Sequence, residues 1–428
     1  MAWLPLGPGR TVHAREDRPL TTAAPITPPA LGRQPAVVFI FVTLLLDVLG
    51  FGLLIPVAPD LIAKVAGIPR DEAAPYAGYL AATYAGMQFL FAPMLGVISD
   101  RVGRRPVLLV ALLGSGLDYF AMAIAWNLPM LFVTRALNGV SGASMTVATS
   151  YIADVTPPEK RAGAFGMIGA AFGLGFIIGP VVGGLLGDID IHYPFYAAGT
   201  LTLINWLYGV FVLPESLRPE LRAPMRFGRA NPLGAFVALR RYPLVLWLAG
   251  VFFFINVAQF ALHLTWTVYT KHKFEWKSST VGWSMFCVGA SAAIVQGGLA
   301  RKLIPMLGER RSLLFGMCLG VLAYACYGLA SQGWMMFAIV IAASIGGIAQ
   351  PAGQSLVTKT VRADEQGATQ GALTSVSSLA AIAGPVVGTQ AFDYALAHGL
   401  PPGLPFLIGS VLSMIAVGLA LAAFRKHD

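Results

Sequence analysis

Charge is what this 428-residue sequence has least of. Only 11% of its residues are Asp, Glu, Lys or Arg, against about 25% in a soluble domain, while 56% are hydrophobic. A chain of that composition is a polytopic membrane protein. Cysteine is nearly absent. Cys287, Cys318 and Cys326 all fall inside long apolar runs, so they imply no disulfide framework. Of six histidines only His263 lies within such a run. No second ligand stands at helical spacing from it, which argues against a metal site. The sequence has no nucleotide-binding P-loop, zinc signature or nucleophile elbow, which argues against ATP-driven work and against an enzyme. The apolar runs are continuous, not alternating, so a β-barrel is disfavoured. Residues 1–35 are rich in proline and arginine and lack the apolar core of a signal peptide. They read as a disordered cytoplasmic tail.

What the sequence has instead is long apolar runs. A hydrocarbon core about 30 Å thick takes about 20 apolar residues per helix. Twelve stretches qualify, at roughly 36–63, 76–98, 107–125, 129–151, 163–187, 193–213, 243–270, 280–299, 312–331, 334–358, 368–392 and 405–424. The expected fold class is an all-α membrane protein with twelve transmembrane helices. The net charge is +9, and its distribution is that of a topology signal. With the N-terminus inside, only Lys64, Arg70, Lys271, Lys273 and Lys277 of the 29 Lys and Arg fall in outside segments, and Arg135 falls in a span. The rest lie in inside segments, which puts both termini in the cytoplasm and leaves no polyanion site to explain.

The runs divide into two sets of six. Residues 36–215 are expected to form an N-terminal six-helix bundle, and 243–428 a C-terminal bundle with a short cytoplasmic tail. Between them, 216–242 is a basic cytoplasmic linker with Arg218, Arg222, Arg226, Arg229, Arg240 and Arg241. The halves repeat. Gly179-Pro180-Val181-Val182-Gly183 recurs 205 residues later as Gly384-Pro385-Val386-Val387-Gly388, and Gly308-Glu309-Arg310 follows Gly103-Arg104-Arg105 at the same offset. Two six-helix pseudo-repeats suit bundles that rock around a midplane site.

Between the second and third runs lies GVISDRVGRRP, Gly96 to Pro106. Its arginines, Arg101, Arg104 and Arg105, hold the loop on the cytoplasmic side. Gly96 and Gly103 let a short loop reverse between antiparallel helices. Asp100 is expected to accept hydrogen bonds from loop donors, or to face the positive N-terminal end of a neighbouring helix.

Three charges lie within spans. Asp47 sits near mid-bilayer in LLLDVLGFGLLIPVAPDL, Asp118 in SGLDYFAMA and Arg135 in LFVTRALNGVSGAS. A charge at the centre of a span costs at least about 2.5–3.5 kcal/mol on insertion scales, so it usually faces a cavity or a partner. Gly50, Gly52 and Pro56 loosen the first helix beyond Asp47. A partly desolvated carboxylate gains proton affinity, and an arginine either stabilises the ionised acid or is released when the acid is protonated. Asp47, Asp118 and Arg135 are therefore candidate proton-coupling residues. A structural hydrogen bond at Asp47 and a static ion pair between Asp118 and Arg135 are the competing assignments. The fifth span, GMIGAAFGLGFIIGPVVGG, places Gly175, Gly179, Gly183 and Gly184 around Pro180. Small residues four apart permit close helix contact, here expected with span 8 of the other half. Gln88, Asn256, Gln259, His263, Gln296, Gln350 and Gln354 are candidate substrate contacts, and each also fits a role as interhelical glue.

The Gly96–Pro106 loop fills every position of the pattern found between the second and third spans of major facilitator superfamily transporters. Arg135, with Asn138 and Gly139 behind it, resembles the superfamily's span-4 arginine. Gly-Pro, two residues, Gly-Gly at Gly179–Gly184 resembles the span-5 motif associated with its antiporters. Within the superfamily, about 37–217 is similar to the tetracycline-resistance branch of drug–proton antiporters, with matching text such as AGMQFLFAPMLGVISDRVGRRPVLL, YIADVTPPEKRAGAFGMIGAAFGLGFIIGP and FVLPESL. The likeness continues more loosely to about 424. By that resemblance Asp47, Asp100 and Asp118 match family acids, and Gln88 and Gln296 match family polar positions. The branch also tends to carry a histidine in span 8 and an acid in span 9. Here the corresponding positions are Ala292 and Gly320. This departure sets the chain apart from carriers of a metal–tetracycline complex.

The resemblance implies a proton-coupled antiporter that exports a small, largely hydrophobic compound by alternating access across a bacterial inner membrane. No cofactor is implied beyond the proton gradient, and magnesium enters only as part of a metal–drug substrate. The expected partners are the lipid bilayer, protons and the substrate, with a monomeric chain and no nucleic acid. The alternatives are an uptake carrier for a small nutrient or metabolite and a non-transporting receptor of transporter ancestry.

Overall fold

The computed structural model describes residues 33–142, 144–157, 160–222, 241–362 and 365–426. Most of the expected N-terminal tail, and the linker residues Arg226, Arg229 and Arg240, lie outside this set. Every regular element among the described residues is helical. The helices are α1 Arg33–Leu54, α2 Ala58–Ala66, α3 Ala74–Val102, α4 Arg104–Ala123, α5 Leu128–Gly142, α6 Ser144–Val155, α7 Arg161–Ile189, α8 Tyr193–Val212, α9 Pro243–Phe274, α10 Ser278–Ile294, α11 Ala300–Leu307, α12 Glu309–Leu329, α13 Gly333–Ala343, α14 Ala349–Thr360, α15 Gln366–Ala397 and α16 Leu404–Lys426.

Each expected apolar stretch coincides with one helix or one broken run. Ten helical runs are long and apolar enough to cross a membrane unaided, and the bent pair α1–α2 makes an eleventh. The remaining stretch, 129–151, is covered by α5 and α6, which flank residue 143. The α1–α2 bend of 54° falls at Pro56, which lacks an N–H and so breaks the hydrogen-bond ladder. Two corrections concern element ends. Helix α1 begins at Arg33, inside the stretch expected to be a tail. The expected loop at Gly96–Pro106 is almost entirely helical, because α3 runs to Val102 and α4 starts at Arg104. Only Gly103 is left to turn the chain, at φ +115°, a conformation that side chains disfavour.

Large apolar side chains such as Val110, Ile204, Phe211, Leu329 and Ile341 stand exposed. In water they would form an aggregating surface; in a bilayer they meet lipid. With lipid as solvent, helices associate through close packing instead of hydrophobic expulsion, and glycine sets where they touch. Helix α1 packs on α7, and α9 packs in the same way on α15. At Gly179 an added Cβ would lie 2.9 Å from the Gly52 Cα and the Leu49 carbonyl. At Gly384 it would lie 2.7 Å from the Val257 carbonyl.

Helix α7 also packs on α10, and α3 on α15. These two interfaces join the halves and are counterparts in the repeat. In the first, Gly282 lies against the Pro180 carbonyl; in the second, Gly78 lies against Pro385 and Thr389. Both interfaces are tight at one end of the molecule, here termed the far end. Toward the other end, which carries Arg104 and Arg105, the halves part. Gly166, Gly169 and Gly173 on α7, Gly297 and Gly298 beyond α10, and Gly371 on α15 have nothing within 4 Å of an added Cβ. The buried core divides accordingly. One cluster around Phe39, Leu108 and Tyr151 and another around Leu248, Leu313 and Phe424 lie apart at the basic end. A far-end cluster draws Ala74 together with Trp266, Tyr269 and Phe406. The molecule is a wedge, closed at the far end.

Candidate transport cavity and charge network

At the basic end, Arg104 opens α4. A cation there works against the helix dipole, and the first N–H groups of the helix have no partners within it. Glu215, just past α8, supplies both needs. Its carboxylate accepts hydrogen bonds from the backbone N–H of Arg104 at 2.8 Å and of Arg105 at 3.2 Å, and it fills the space where a side chain on Gly103 would stand. The Arg104 guanidinium reaches Asp100 at 2.6 Å, Asp154 at 3.2 Å and the Ser99 hydroxyl at 2.5 Å. Arg105 donates to the Val210 carbonyl at 2.6 Å. Arg101 is exposed, and Gly96 faces Thr146 of α6 loosely. Of the two roles expected of Asp100, it takes the first, binding the loop donor Arg104, while the helix end is held by Glu215. Asp154 and Glu215 went unnoticed because their partners are 50 and 111 residues away.

Within the N-terminal half, α4 and α5 bring Asp118 and Arg135 together at 3.8 Å, with side chains 3% and 11% exposed. Asn138, one turn beyond Arg135, donates to the Asp118 Oδ2. The Asp118 Oδ1 is buried without a hydrogen-bond partner among the described residues. Arg135 also points its Nε at the Met122 sulfur at 3.1 Å. Asp47 lies half-buried on α1, within electrostatic reach of Tyr84 and Tyr119, which Asp118 and Arg135 also reach. The three expected residues therefore share one neighbourhood. Asp47 itself forms no hydrogen bond or ion pair among the described residues. Tyr84 and Tyr119 are additions that the sequence did not single out, since a tyrosine in a span carries no charge to mark it.

Polar candidates in the C-terminal half converge. Asn256, Gln259, His263, Gln296 and Gln350 all line one cavity of about 670 Å³, with Gln354 beside them. Ala292 and Gly320 line it too. Gln88 is not among them: its Nε2 donates to the Gly142 carbonyl at 3.0 Å, which ties α3 to α5. The cavity walls contain two irregular turns. Gln296 sits in a π-helical turn, Val295–Leu299, and Ser344–Ile348 is a 3₁₀ turn. Such turns loosen the backbone ladder and are frequent at functional sites.

The far end is sealed across the halves. Buried Lys271 of α9 pairs with Asp60 of α2 and donates to the Ser278 hydroxyl at 2.8 Å. Asp60 also holds Arg70 at 2.5 Å. His272 meets Asp71 at 2.9 Å, and Thr267 donates to the Ile55 carbonyl freed at the α1 bend at 3.2 Å. The span-5 residues divide between two neighbours. Gly175, Gly179 and Gly183 face α1, while Gly184, with the Pro180 carbonyl, faces α10. The expected contact with span 8 is present. Among the described residues no cluster of His, Cys, Asp or Glu is arranged to hold a metal ion.

Two joined helix bundles with a polar-lined cavity in one and buried charges in the other have the architecture of a membrane transporter. The family model of the Major Facilitator Superfamily matches residues 40–385 and, again, 306–427. The chain belongs to that superfamily. It is 38% identical to the class C tetracycline resistance protein of Escherichia coli over 89% of this chain and 95% of that one. It is also 38% identical to the class G protein of Vibrio anguillarum, with the same coverage. Among solved structures, the human organic anion transporter MFSD10 superposes with a TM-score of 0.68 at 26% identity, covering 92% of this chain and all of that one. A bacterial homologue of the lysosomal transporter Spinster, in an inward-facing unoccupied state, superposes at 0.74 with 16% identity, covering 92% and 97%. That second likeness speaks to fold alone.

Proposed function

We propose that this transporter exports a small, largely hydrophobic compound from the bacterial cytoplasm in exchange for protons, by alternating access in the inner membrane. The observation that carries the proposal is the Asp118 carboxylate. It is buried, held on one oxygen by Asn138 and Arg135, and left without a donor on the other. A carboxylate in that setting serves two states: ionised, it is balanced by Arg135; protonated, it frees Arg135 for another partner. Asp47, nearby and unpaired among the described residues, is a second place for the same proton. The likeness to tetracycline resistance proteins supports the export direction, and the Lys and Arg distribution assigns the basic end to the cytoplasm. On that assignment the wedge is open to the cytoplasm, the state that collects substrate for export. A proton or a substrate drives the change of state only through unequal affinity for the two states.

The test is compound-driven proton movement in energised inverted vesicles, over a panel of tetracyclines and other hydrophobic compounds. Wild type is expected to move protons on addition of a substrate, and Asp118→Asn to be silent while remaining folded and inserted. Intact coupling in Asp118→Asn and loss in Asp47→Asn would move the proton to Asp47. Coupling that survives both substitutions would end the proposal.

A further inference from the structure

The cavity of the C-terminal half is lined by amides and not by charges. Six carboxamides line it, from Asn256, Gln259, Gln296, Gln350, Gln354 and Gln370, and among the described residues no Asp, Glu, Lys or Arg does. Three of the six are engaged with other side chains. Gln259 meets the His263 Nε2 at 3.0 Å, and Gln370 donates to Gln354 at 3.1 Å. Asn256, Gln296 and Gln350 form no side-chain hydrogen bond among the described residues. They stand on three different walls: α9, the π-helical turn and α14. A carboxamide both donates and accepts, so it matches hydroxyl and carbonyl groups equally and offers no net charge. Most of the rest of the wall is apolar, including Phe252 and Trp266, with the neutral hydroxyls of Ser344, Thr374, Ser377 and Ser413 among it. A charged ligand in this space would lose its hydration and find no counter-ion. A metal chelate would find no carboxylate. His263, on the same wall, has its Nε2 occupied by Gln259.

We propose that this cavity selects electrically neutral, metal-free aromatic compounds bearing hydroxyl or carbonyl groups, and that Asn256, Gln296 and Gln350 are its recognition residues. The proposal rests on the cavity being the transport site of the function proposed above. It concerns binding alone, so it is tested without a gradient. The full-length protein in nanodiscs is equilibrated by dialysis with labelled chloramphenicol (neutral), ethidium (a cation) or tetracycline with magnesium (a chelate). Chloramphenicol is expected to bind at least tenfold more tightly than either of the others, with the same affinity in magnesium and in EDTA. The double variant Gln296→Leu/Gln350→Leu is expected to weaken chloramphenicol at least tenfold without lowering the melting temperature. Gly320→Asp is expected to raise ethidium affinity at least tenfold, because an added Cβ at Gly320 meets nothing within 4 Å and the carboxylate supplies the missing counter-charge. Tighter binding of ethidium or of the chelate to the wild type would overturn the proposal. So would unchanged chloramphenicol binding in the double variant, or no chloramphenicol binding at all. A failed proton-coupling experiment leaves each of these results standing, so the two readings fail separately.

Discussion

Asp47, Asp118 and Arg135 have counterparts 205 residues later, at the offset that relates the two glycine–proline motifs. They are Phe252, Ala323 and Val340, and all three line the cavity. One copy of the repeat thus holds charge at the positions where the other forms an apolar wall. The loops at the basic end differ in the same spirit. Gly103 and Gly308 turn the chain at positive φ in both halves. After Gly308 the helix opens with Glu309, an acid that suits the helix dipole without help. After Gly103 it opens with Arg104 and borrows the carboxylate of Glu215. A duplicated scaffold needs the same backbone twice, but not the same chemistry. On the two proposals above, proton handling lies in the first copy and substrate recognition in the second.

The strongest way to break this comparison is to move the acid across. Asp118→Asn combined with Ala323→Asp is expected to remain without proton coupling, because position 323 has no Arg135 or Asn138 beside it. Recovery of substrate-driven proton movement in vesicles would show that either half can carry the proton. A smaller effect sharpens the structural side. Gly179→Leu and Gly384→Leu overpack corresponding contacts, at a cost of about 1–3 kcal/mol or more each. Thermal unfolding in detergent is expected to show both variants destabilised to a similar degree; a loss confined to one would mean that only one of the helix pairs is set by glycine. The smallest effect concerns Glu365, where the Tyr242 hydroxyl at 2.5 Å and then the Arg241 guanidinium at 2.6 Å hold the carboxyl below the usual range. A depressed native pKa contributes stability that is present above the unfolded-state value and lost as pH falls through the native one. Melting temperature measured from pH 6 down to pH 3 is expected to fall less steeply in Glu365→Gln than in wild type.

Much of this architecture is legible in the sequence because the membrane punishes exceptions. An apolar run of span length has few alternatives to a helix, and a charge within one stands out, as Asp118 and Arg135 do. Their mutual approach was also readable, since both are costly alone. What escaped reading depends on distance or on shape. Glu215 is a plain surface acid until the fold places it over Gly103. Gln88 and Gln296 look alike in sequence, yet one ties α3 to α5 and the other faces the cavity. The π-helical turn at Gln296 leaves no periodic mark, and the separation of the halves at the basic end leaves none either.

The bare glycines of α7 have a consequence beyond this state. Gly175, Gly179, Gly183 and Gly184 are pressed against neighbouring helices, while Gly166, Gly169 and Gly173 on the same helix touch nothing. A hinge that closes in only one direction would not need smoothness along its whole length. Under the proposed alternating access, the idle glycines are the seam of the opposite posture, already tailored before the garment is turned. On that proposal the sequence of α7 records two postures, of which this structure displays one.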